Sequence, residues 1–314
     1  MKILLLTDGK AGHENQSRAF ARALGGSFEI ARVSFKSRAA KAASYVLDRL
    51  GVQTGALFEV DPPADASGGY SVVVGTGSGV FYAVKTLAKR LGAKCGVVLY
   101  PRGYSLSGFD CVLAPSFDRP AKAPNVVEIP ANLVAGDEEF YAKGVEAFLA
   151  HRGATGTSNA GSGKGATAVI VGGPNKCAAM TPAWMRARLD EIFGENQGRE
   201  MWVTTSRRTP RDVEAVVDSY PWDYKLIYSK DTFNPVPAFV ALAGRLYVTA
   251  ESTGMLSEAC TSGTAEVKAL DNLLPGDNKY RRFVDALRRD GCIDGASKID
   301  LSPQFAAAKR LMGL

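Results

Sequence analysis

The sequence repeats one order of elements: a short apolar run, a turn, and then a stretch with helical periodicity. Residues 2–7 form the first such run, residues 70–74 another, and residues 246–248 a third. Apolar runs of this length are typical of strands buried on both faces of a sheet. Since neighbouring parallel strands need a helical connection, the repetition predicts an α/β fold built on parallel sheets.

The repetition stops once, at residues 152–166, which are rich in Gly, Ser, Thr and Ala and contain no large apolar side chain. Such a composition is typical of a linker. We therefore predict an N-terminal domain at 1–151, a Gly/Ser-rich linker at 152–166 and a C-terminal domain at 167–314. We expect both domains to be Rossmann-like and to face a cleft. The last predicted helix, at 302–312, is a candidate to pack back on the N-terminal domain.

Composition limits the functions that this chain can have. The net charge is +6 and the pI is about 9.0, but the cations are spread along the chain, which excludes a basic nucleic-acid-binding tail. Mild basicity is compatible with anionic small molecules or an anionic membrane surface. With two histidines and five scattered cysteines, we expect no zinc site.

The apolar runs also bear on the compartment. The run at residues 2–7 is too short for a signal-peptide core, and the run at 70–84 is interrupted by glycines before it could span a bilayer. The scattered cysteines lie mostly in predicted strands and helices, as thiols of a reducing compartment would. We therefore expect a cytoplasmic protein, with peripheral contact at the inner membrane left open.

Three strand ends in the second half of the chain carry turns that suit an anion. In a parallel sheet these ends point the same way, so the turns could converge on one phosphate-containing ligand. Glu258, on the first turns of the helix after the third turn, could reach sugar hydroxyls. The two arginines could instead lie in a solvated turn or serve as charges at a helix end. The third turn could instead be ordinary polar capping of a helix. The residues of the three turns are Gly172 and Gly173, then Ser206, Arg207 and Arg208, then Ser252, Thr253 and Gly254.

The polar segment 8–16 follows the first strand of the N-terminal half, where the first ligand loop of such a sheet belongs. His13 is a candidate general base because its unperturbed pKa lies near neutrality. A helix-capping or substrate-positioning role for this histidine is the alternative. Gly77, in the turn at 75–79, is a candidate for close approach to the acceptor or to the other domain. The other candidates on the acceptor side are Asp8, Gly9, Gly12 and Gln16.

Five motifs in this order resemble a known family. They are TDGKAGHENQS at 7–17, VGGPNK at 171–176, TTSRRTP at 204–210, FNPVPAF at 233–239 and VTAESTGMLSEACTSG at 248–263. They resemble the mitochondrial fission or elongated-mitochondria family, whose bacterial members are described as glycosyltransferases. That family in turn resembles two-domain glycosyltransferases of the GT-B kind. The segments 75–80 and 261–270 depart from the usual sequence of the family.

The resemblance implies transfer of a sugar from a nucleotide-diphosphate sugar to a cell-envelope glycan or lipid-linked acceptor, without a metal ion or a bound cofactor. It implies that the three turns contact the donor, together with the Ser257–Glu258 pair, and that Glu258 contacts the ribose. It also makes His13 the base. Plant relatives recruit a dynamin-related protein, so a non-catalytic adaptor with a GT-B-like fold is the alternative. A sugar-nucleotide epimerase, which we expect to need a bound nicotinamide cofactor, is disfavoured because no G-x-G-x-x-G follows the first strand.

Overall fold

The computed structural model describes residues 1–62, 68–154 and 165–314. Within these residues the chain forms two compact units. Unit 1 contains Met1–Ala135 and Asp300–Leu314, and unit 2 contains Gly136–Ile299. Both units are α/β, and in each of them the strands that carry the buried apolar runs form one sheet. The predicted α/β fold with parallel sheets is confirmed.

Unit 1 contains a seven-stranded sheet with the order β3-β2-β1-β4-β5-β6-β7. All its strand pairs are parallel except β2 with β3. Its strands are β1 Lys2–Thr7, β2 Ser27–Phe35, β3 Phe58–Asp61, β4 Val72–Thr76, β5 Lys94–Val98, β6 Cys111–Pro115 and β7 Val126–Ile129. Its helices are α1 Ala11–Leu24, α2 Arg38–Arg49, α3 Phe81–Leu91 and, after unit 2, α10 Ser302–Met312.

Helices cover both faces of this sheet. Helices α1 and α10 contact each other, and α10 also contacts β5, β6 and β7. The other face carries a core in which α3 side chains such as Phe81 and Val84 are buried, with Tyr45 and Leu47 of α2 packed against them. Strands β1 and β4 lie at the centre of the sheet and are almost wholly buried, which explains their uninterrupted apolar sequence.

Unit 2 contains a five-stranded parallel sheet with the order β10-β9-β8-β11-β12. Its strands are β8 Thr167–Val171, β9 Met201–Thr205, β10 Tyr224–Leu226, β11 Arg245–Thr249 and β12 Glu266–Leu270. Its helices are α4 Glu138–Ala154, α5 Pro182–Glu195, α6 Arg211–Asp218, α7 Val236–Leu242, α8 Thr253–Ser262 and α9 Lys279–Arg289.

The division between the units lies at Ala135–Gly136, whereas the sequence placed it at residues 152–166. Helix α4 belongs to unit 2 because Phe148, which is fully buried, packs against the rings of Trp202, Tyr224 and Phe239. Residues 152–154 therefore complete a helix. Residues 155–164 of the predicted linker lie outside the described residues. The C-terminal helix α10 makes its contacts within unit 1.

Two local predictions differ from the structure. The segment predicted as a polar loop at 8–16 contains the start of α1, which begins at Ala11, so that Gly12, His13 and Gln16 lie on its first turns. Polar residues are tolerated there because only the later turns of α1 face the core. Strand β3 was not predicted.

None of the helices within the described ranges combines the length and the apolar character that crossing a membrane requires.

Candidate functional site

The sheet of unit 1 reverses its strand order between β1 and β4, which are neighbours although β2 and β3 separate them along the chain. Ligands of open α/β sheets bind beyond the carboxyl ends of the strands at such a point. Here β1 leads through residues 8–10 into α1, and β4 leads through residues 77–80 into α3. A hydrogen bond of 2.7 Å between the buried hydroxyls of Ser17 and Thr76 joins α1 to the end of β4.

His13 and Asp8 form a hydrogen-bonded pair at this point. Nδ1 of His13 lies 3.1 Å from both carboxylate oxygens of Asp8. A carboxylate can only accept, so Nδ1 carries the proton and donates. Within the described part of the chain, Nε2 of His13 makes no hydrogen bond, and the imidazole remains about one-quarter exposed. A histidine held in this tautomer presents an unprotonated Nε2 that can accept a proton from a substrate.

Two glycines of the β4–α3 turn make room for this pair. A Cβ atom at Gly77 would lie 2.4 Å from Cε1 of His13, and one at Gly79 would lie 2.6 Å from Cβ of Asp8. Gly77 also has a φ of +88°, which side chains other than glycine rarely adopt. Gly77 and Gly79 therefore accommodate the His13–Asp8 pair, a role that the sequence did not reveal.

The charge of Asp8 is stabilised by its neighbours. Burial alone would raise the pKa of the Asp8 carboxyl, but the hydrogen bonds that the carboxylate accepts from Lys10 and from His13 outweigh it, so the pKa lies below its ordinary value. The Lys10 ammonium lies 2.9 Å from the carboxylate and is itself largely exposed. Asp8 therefore stays ionised near neutral pH and keeps His13 in the donating tautomer.

The remaining acceptor-side candidates lie around the pair without forming part of it. Gly9 and Gly12 are exposed, and the guanidinium of Arg32 lies beside Gly9. The side chain of Gln16 donates from Nε2 to the carbonyl of Gly12, at 3.4 Å. These positions border the His13–Asp8 pair, and their predicted contact with an acceptor stays a prediction.

A second histidine–aspartate pair, in unit 2, serves as a comparison. Nε2 of His151 donates to Asp231 at 2.8 Å, and Nδ1 lies 3.1 Å from the hydroxyl of Tyr224. The ring stacks on Phe233 at 4.3 Å. Both ring nitrogens and one ring face are thus occupied by the protein, which leaves no nitrogen for a substrate. His151 has a structural role, whereas His13 keeps one nitrogen available.

In unit 2 the strand order reverses at β8, whose neighbours are β9 and β11. The residue that organises this point is Glu251, which lies directly before α8 and is 3% exposed. Its Oε1 accepts hydrogen bonds from the Gly173 backbone N–H at 2.8 Å, from the Thr249 hydroxyl and from the Ser252 hydroxyl. Its Oε2 accepts from Asn272 at 2.7 Å. Glu251 was not among the residues predicted from the sequence, although an acidic residue at the end of a buried apolar strand is a signal for such a role.

Gly172 and Gly173 are buried, and their N–H groups donate to Thr249 and Glu251 rather than to solvent. A Cβ atom at Gly172 would lie 1.9 Å from Oε1 of Glu251, and one at Gly173 would lie 2.2 Å from the Arg208 carbonyl. Close packing within the protein therefore explains both glycines. The predicted contact of these glycines with a donor stays a prediction.

The serines of the predicted donor turns also serve the protein itself. Ser252 is buried and donates to Glu251. Ser257 is fully buried, and its hydroxyl donates to the Thr253 carbonyl at 2.6 Å. The hydroxyl of Ser206 accepts from the N–H of Arg208. A ligand could reach Ser252 or Ser257 only if the start of α8 moved, and their predicted contact with a donor stays a prediction.

Among the predicted donor contacts that the structure describes, the start of α8 and the two arginines are accessible to a ligand. No acceptor within the described residues faces the N–H groups of Gly254 and Met255, and Gly254 is exposed. Arg207 is exposed and makes no hydrogen bond or ion pair to the described residues. Arg208 lies over the turn, with its guanidinium 3.8 Å from Glu251 and 3.5 Å from the Gly173 carbonyl. Free helix N–H groups beside a cation favour an anion.

Glu258 lies one turn further along α8, where its carboxylate accepts a hydrogen bond of 3.2 Å from the Tyr141 hydroxyl. Burial raises the pKa of Glu258, and the bond from Tyr141 only partly offsets this rise. The predicted ribose contact would thus have to share the carboxylate with Tyr141, and it remains a prediction. Among the residues that the structure describes, no cluster of three or more His, Cys, Asp or Glu could hold a metal ion.

Comparison with known proteins identifies the family. The family model described as mitochondrial fission ELM1 matches residues 11–305. This chain belongs to that family. The ELM1 match spans the His13 region of unit 1 and the β8, β9 and β11 turns of unit 2. A search of curated protein sequences gave no match.

Solved structures share the fold at low sequence identity. A protein from Listeria monocytogenes described as a UDP-N-acetylglucosamine 2-epimerase has a TM-score of 0.51 and 11% identity, over 99% of this chain and 94% of the other. The UDP-GlcNAc 2-epimerase of Neisseria meningitidis, bound to UDP-GlcNAc, has a TM-score of 0.49 and 10% identity, over 99% and 97%. The ADP-heptose heptosyltransferase II of E. coli has a TM-score of 0.47 and 10% identity, over 99% and 98%. The GT-B-like fold that the sequence predicted is confirmed.

Proposed function

We propose that this ELM1-family protein transfers a sugar from a nucleotide-diphosphate sugar to a hydroxyl of an acceptor. The observation that carries the proposal is the His13–Asp8 pair, with Nδ1 bound to the carboxylate and Nε2 open beyond the carboxyl ends of β1 and β4. The fold by itself does not choose this reaction, since a protein described as an epimerase shares it. Sugar transfer to a hydroxyl requires a base positioned to accept the proton of that hydroxyl.

The reaction proposed is a displacement at the anomeric carbon. Nε2 of His13 takes the proton of the acceptor hydroxyl, and the oxygen forms a bond to the anomeric carbon. The bond from that carbon to the diphosphate oxygen breaks, and the electron pair leaves with the nucleoside diphosphate. Asp8 stabilises the imidazolium that forms, because its ionised carboxylate already lies 3.1 Å from Nδ1.

We assign the diphosphate to the start of α8. The N–H groups of Gly254 and Met255, the hydroxyl of Thr253 and the guanidinium of Arg207 supply donors and positive potential there. Arg208 would add charge once released from the turn, and Glu258 would accept from a ribose hydroxyl. The proposal needs neither a metal ion nor a bound cofactor, because these groups can carry the charge of the leaving diphosphate.

The acceptor that we propose is a cell-envelope glycan or a lipid-linked precursor, used at the cytoplasmic side of the inner membrane. The support for this part is the resemblance of the motifs to bacterial family members described as glycosyltransferases, together with the net charge of +6. The alternative function, a non-catalytic adaptor, would give the His13–Asp8 pair no role.

Donor binding can be tested first, by thermal unfolding in the presence of uridine, guanosine, adenosine and thymidine diphosphates and their sugars. One nucleotide should raise the melting temperature, and Arg207→Ala should reduce that rise by weakening binding about tenfold. Arg289→Ala, an exposed arginine of α9, is the matched control and should keep the full rise. If no nucleotide raises the melting temperature, the glycosyltransferase proposal is refuted and the adaptor function takes its place.

The role of His13 can then be tested with the nucleotide sugar identified in that screen. His13→Ala should lower turnover by a factor of about 10² to 10⁴, while the nucleotide-induced melting shift stays unchanged. Slow release of nucleoside diphosphate to water gives a readout before the acceptor is known. His151→Ala is the control for general loss of an imidazole. Turnover in His13→Ala that equals that of the unchanged protein would remove His13 from the mechanism.

A further inference from the structure

The outer side of α2 and the residues after it present an unusual surface. Val46 is 59% exposed, Leu50 is 71% exposed and Val52 is 46% exposed. No other stretch of seven residues in the described chain exposes three large aliphatic side chains. We call the group Arg38, Val46, Arg49, Leu50 and Val52 the α2 surface.

The inner side of α2 is firmly attached to unit 1, so the α2 surface is not an unformed part of the core. Tyr45 stacks on Tyr104 with ring centroids 4.2 Å apart, and the Ser44 hydroxyl bonds to the Tyr104 hydroxyl. Asp48 is buried and pairs with the buried ammonium of Lys85 at 2.8 Å. Helix α2 therefore has a fixed orientation, and the exposure of Val46 and Leu50 is a property of the folded unit.

The charge around these aliphatic side chains has one sign. Arg38 and Arg49 flank them on the same side of the helix, Lys36 lies just before it, and none of the three forms a salt bridge with a described residue. The single acid between residues 36 and 52 is Asp48, which Lys85 neutralises inside the core.

The edge strand β3 adds no opposing charge on this side. Strand β3 alternates, and its Phe58 and Val60 pack into the core beside Tyr45. Glu59 and Asp61 therefore project toward the other face of the sheet.

We propose that the α2 surface docks on a membrane that contains anionic lipid. Aliphatic side chains bordered by unpaired cations fit the interface between acyl chains and negatively charged headgroups. A second copy of the chain fits less well, because it would bring the same positive charges together. Three aliphatic side chains also supply far less than the roughly 800 Å² per partner that a stable dimer buries.

Docking through α2 would place the lipid beside the site of unit 1. Nζ of Lys41, on the first turns of α2, donates to the Ser78 hydroxyl at 3.3 Å, and Ser78 is the neighbour of Gly77. Leu50 lies roughly 13 Å further along the helix direction. A lipid-anchored molecule could therefore reach the region of His13 from a membrane bound at α2. The docking itself does not depend on the proposed sugar transfer.

The test is flotation of the full chain with vesicles of equal parts phosphatidylglycerol and phosphatidylcholine, compared with pure phosphatidylcholine. We expect binding to the anionic vesicles only, and weaker binding as the salt concentration rises. Arg38→Gln with Arg49→Gln should weaken binding about 30-fold. Val46→Gln with Leu50→Gln should weaken it at least about tenfold.

Two matched controls keep the outcome specific. Arg289→Gln with Arg310→Gln removes the same charge elsewhere, and Leu149→Gln with Leu311→Gln removes exposed leucines elsewhere; both should bind as the unchanged protein does. All substituted side chains are exposed, and thermal unfolding checks each variant. Absence of vesicle binding, or equal losses in variants and controls, would overturn the proposal. A dimer in sedimentation equilibrium would also overturn the proposal if Val46→Gln with Leu50→Gln dissociated it, because a second copy of the chain would then cover the α2 surface.

Discussion

Replacing Gly77 with alanine tests whether the close approach of the turn to His13 is real. The new Cβ would lie 2.4 Å from Cε1 and 2.6 Å from Nδ1 of His13, too close for any normal contact. The imidazole would have to turn away and lose its hydrogen bond to Asp8. In addition, alanine would have to adopt a φ of +88°. The substitution therefore combines two separable costs, one in the backbone and one at His13.

The two costs can be given magnitudes. A positive φ costs a residue with a Cβ about 1–2 kcal/mol. Loss of the partly exposed His13–Asp8 bond adds about 1 kcal/mol. We expect Gly77→Ala to lower the free energy of unfolding by about 2–3 kcal/mol. Gly25→Ala is the matched control, because Gly25 has a φ of +84° and no atom within 4 Å of its new Cβ. It should show the backbone cost alone, about 1–2 kcal/mol.

A double-mutant cycle isolates the part that belongs to His13. In a His13→Ala background the imidazole is gone, so Gly77→Ala should cost only the backbone part, and the coupling should be about 1 kcal/mol. Urea unfolding is followed by far-ultraviolet circular dichroism, because the tryptophans lie in unit 2. The chain has two histidines, so a proton NMR titration can observe His13 with His151 as the internal reference. Equal costs of Gly77→Ala in both backgrounds would refute the contact.

Three further predictions concern unit 2. Glu251→Gln should lower the free energy of unfolding by about 2–4 kcal/mol, because an amide cannot accept all the hydrogen bonds that Gly173, Ser252 and Asn272 donate. Tryptophan fluorescence in urea measures this change, with Glu191→Gln at an exposed position as the control. Equally small losses of unfolding free energy in the two variants would contradict the prediction. Burial raises the pKa of Glu258 above its unfolded value, so this group favours the folded state below the unfolded pKa, and that contribution is lost as the pH rises through the folded pKa. Glu258→Gln should therefore flatten the fall of the melting temperature as the pH rises above the ordinary carboxyl pKa of 4.5, and an unchanged pH profile would show that the carboxylate is not buried. Phe148→Ala should lower the free energy of unfolding by about 3–5 kcal/mol and alter Trp202 fluorescence, because the Phe148 ring is fully buried in unit 2. A decrease below about 1 kcal/mol would place α4 outside the core of unit 2.

The sequence was sufficient for features that depend on local periodicity. Buried strands such as β4 and β11 were visible as uninterrupted apolar runs, and the turns after β8, β9 and β11 were found at the correct strand ends. The order of the motifs also identified the family, which the match over residues 11–305 confirms. These properties follow from neighbouring residues in the chain, so a pattern of period two or 3.6 can reveal them.

The sequence was less informative where one residue type serves two purposes. The glycines and serines at 172, 173, 252 and 257 fit a phosphate site by composition, but the structure shows them occupied by Glu251, Thr249 and Thr253. A small residue makes room equally well for a ligand and for a neighbouring side chain. Only the packing around Glu251 distinguishes the two uses. The predicted donor contacts of Thr253, Gly254, Arg207, Arg208 and Glu258 stay predictions.

By itself, the sequence determined the α/β class, the strand-end turns, the family and the choice of His13 as a candidate base. Only the tertiary structure decided that Asp8 and Gly77 are the partners of His13, that Glu251 organises the second unit and that α4 belongs to it. The physical reason is strand order. Residue 77 meets residues 8 and 13 because β4 lies beside β1 in the sheet, and that pairing arises from the burial of whole strands rather than from any pattern along the chain.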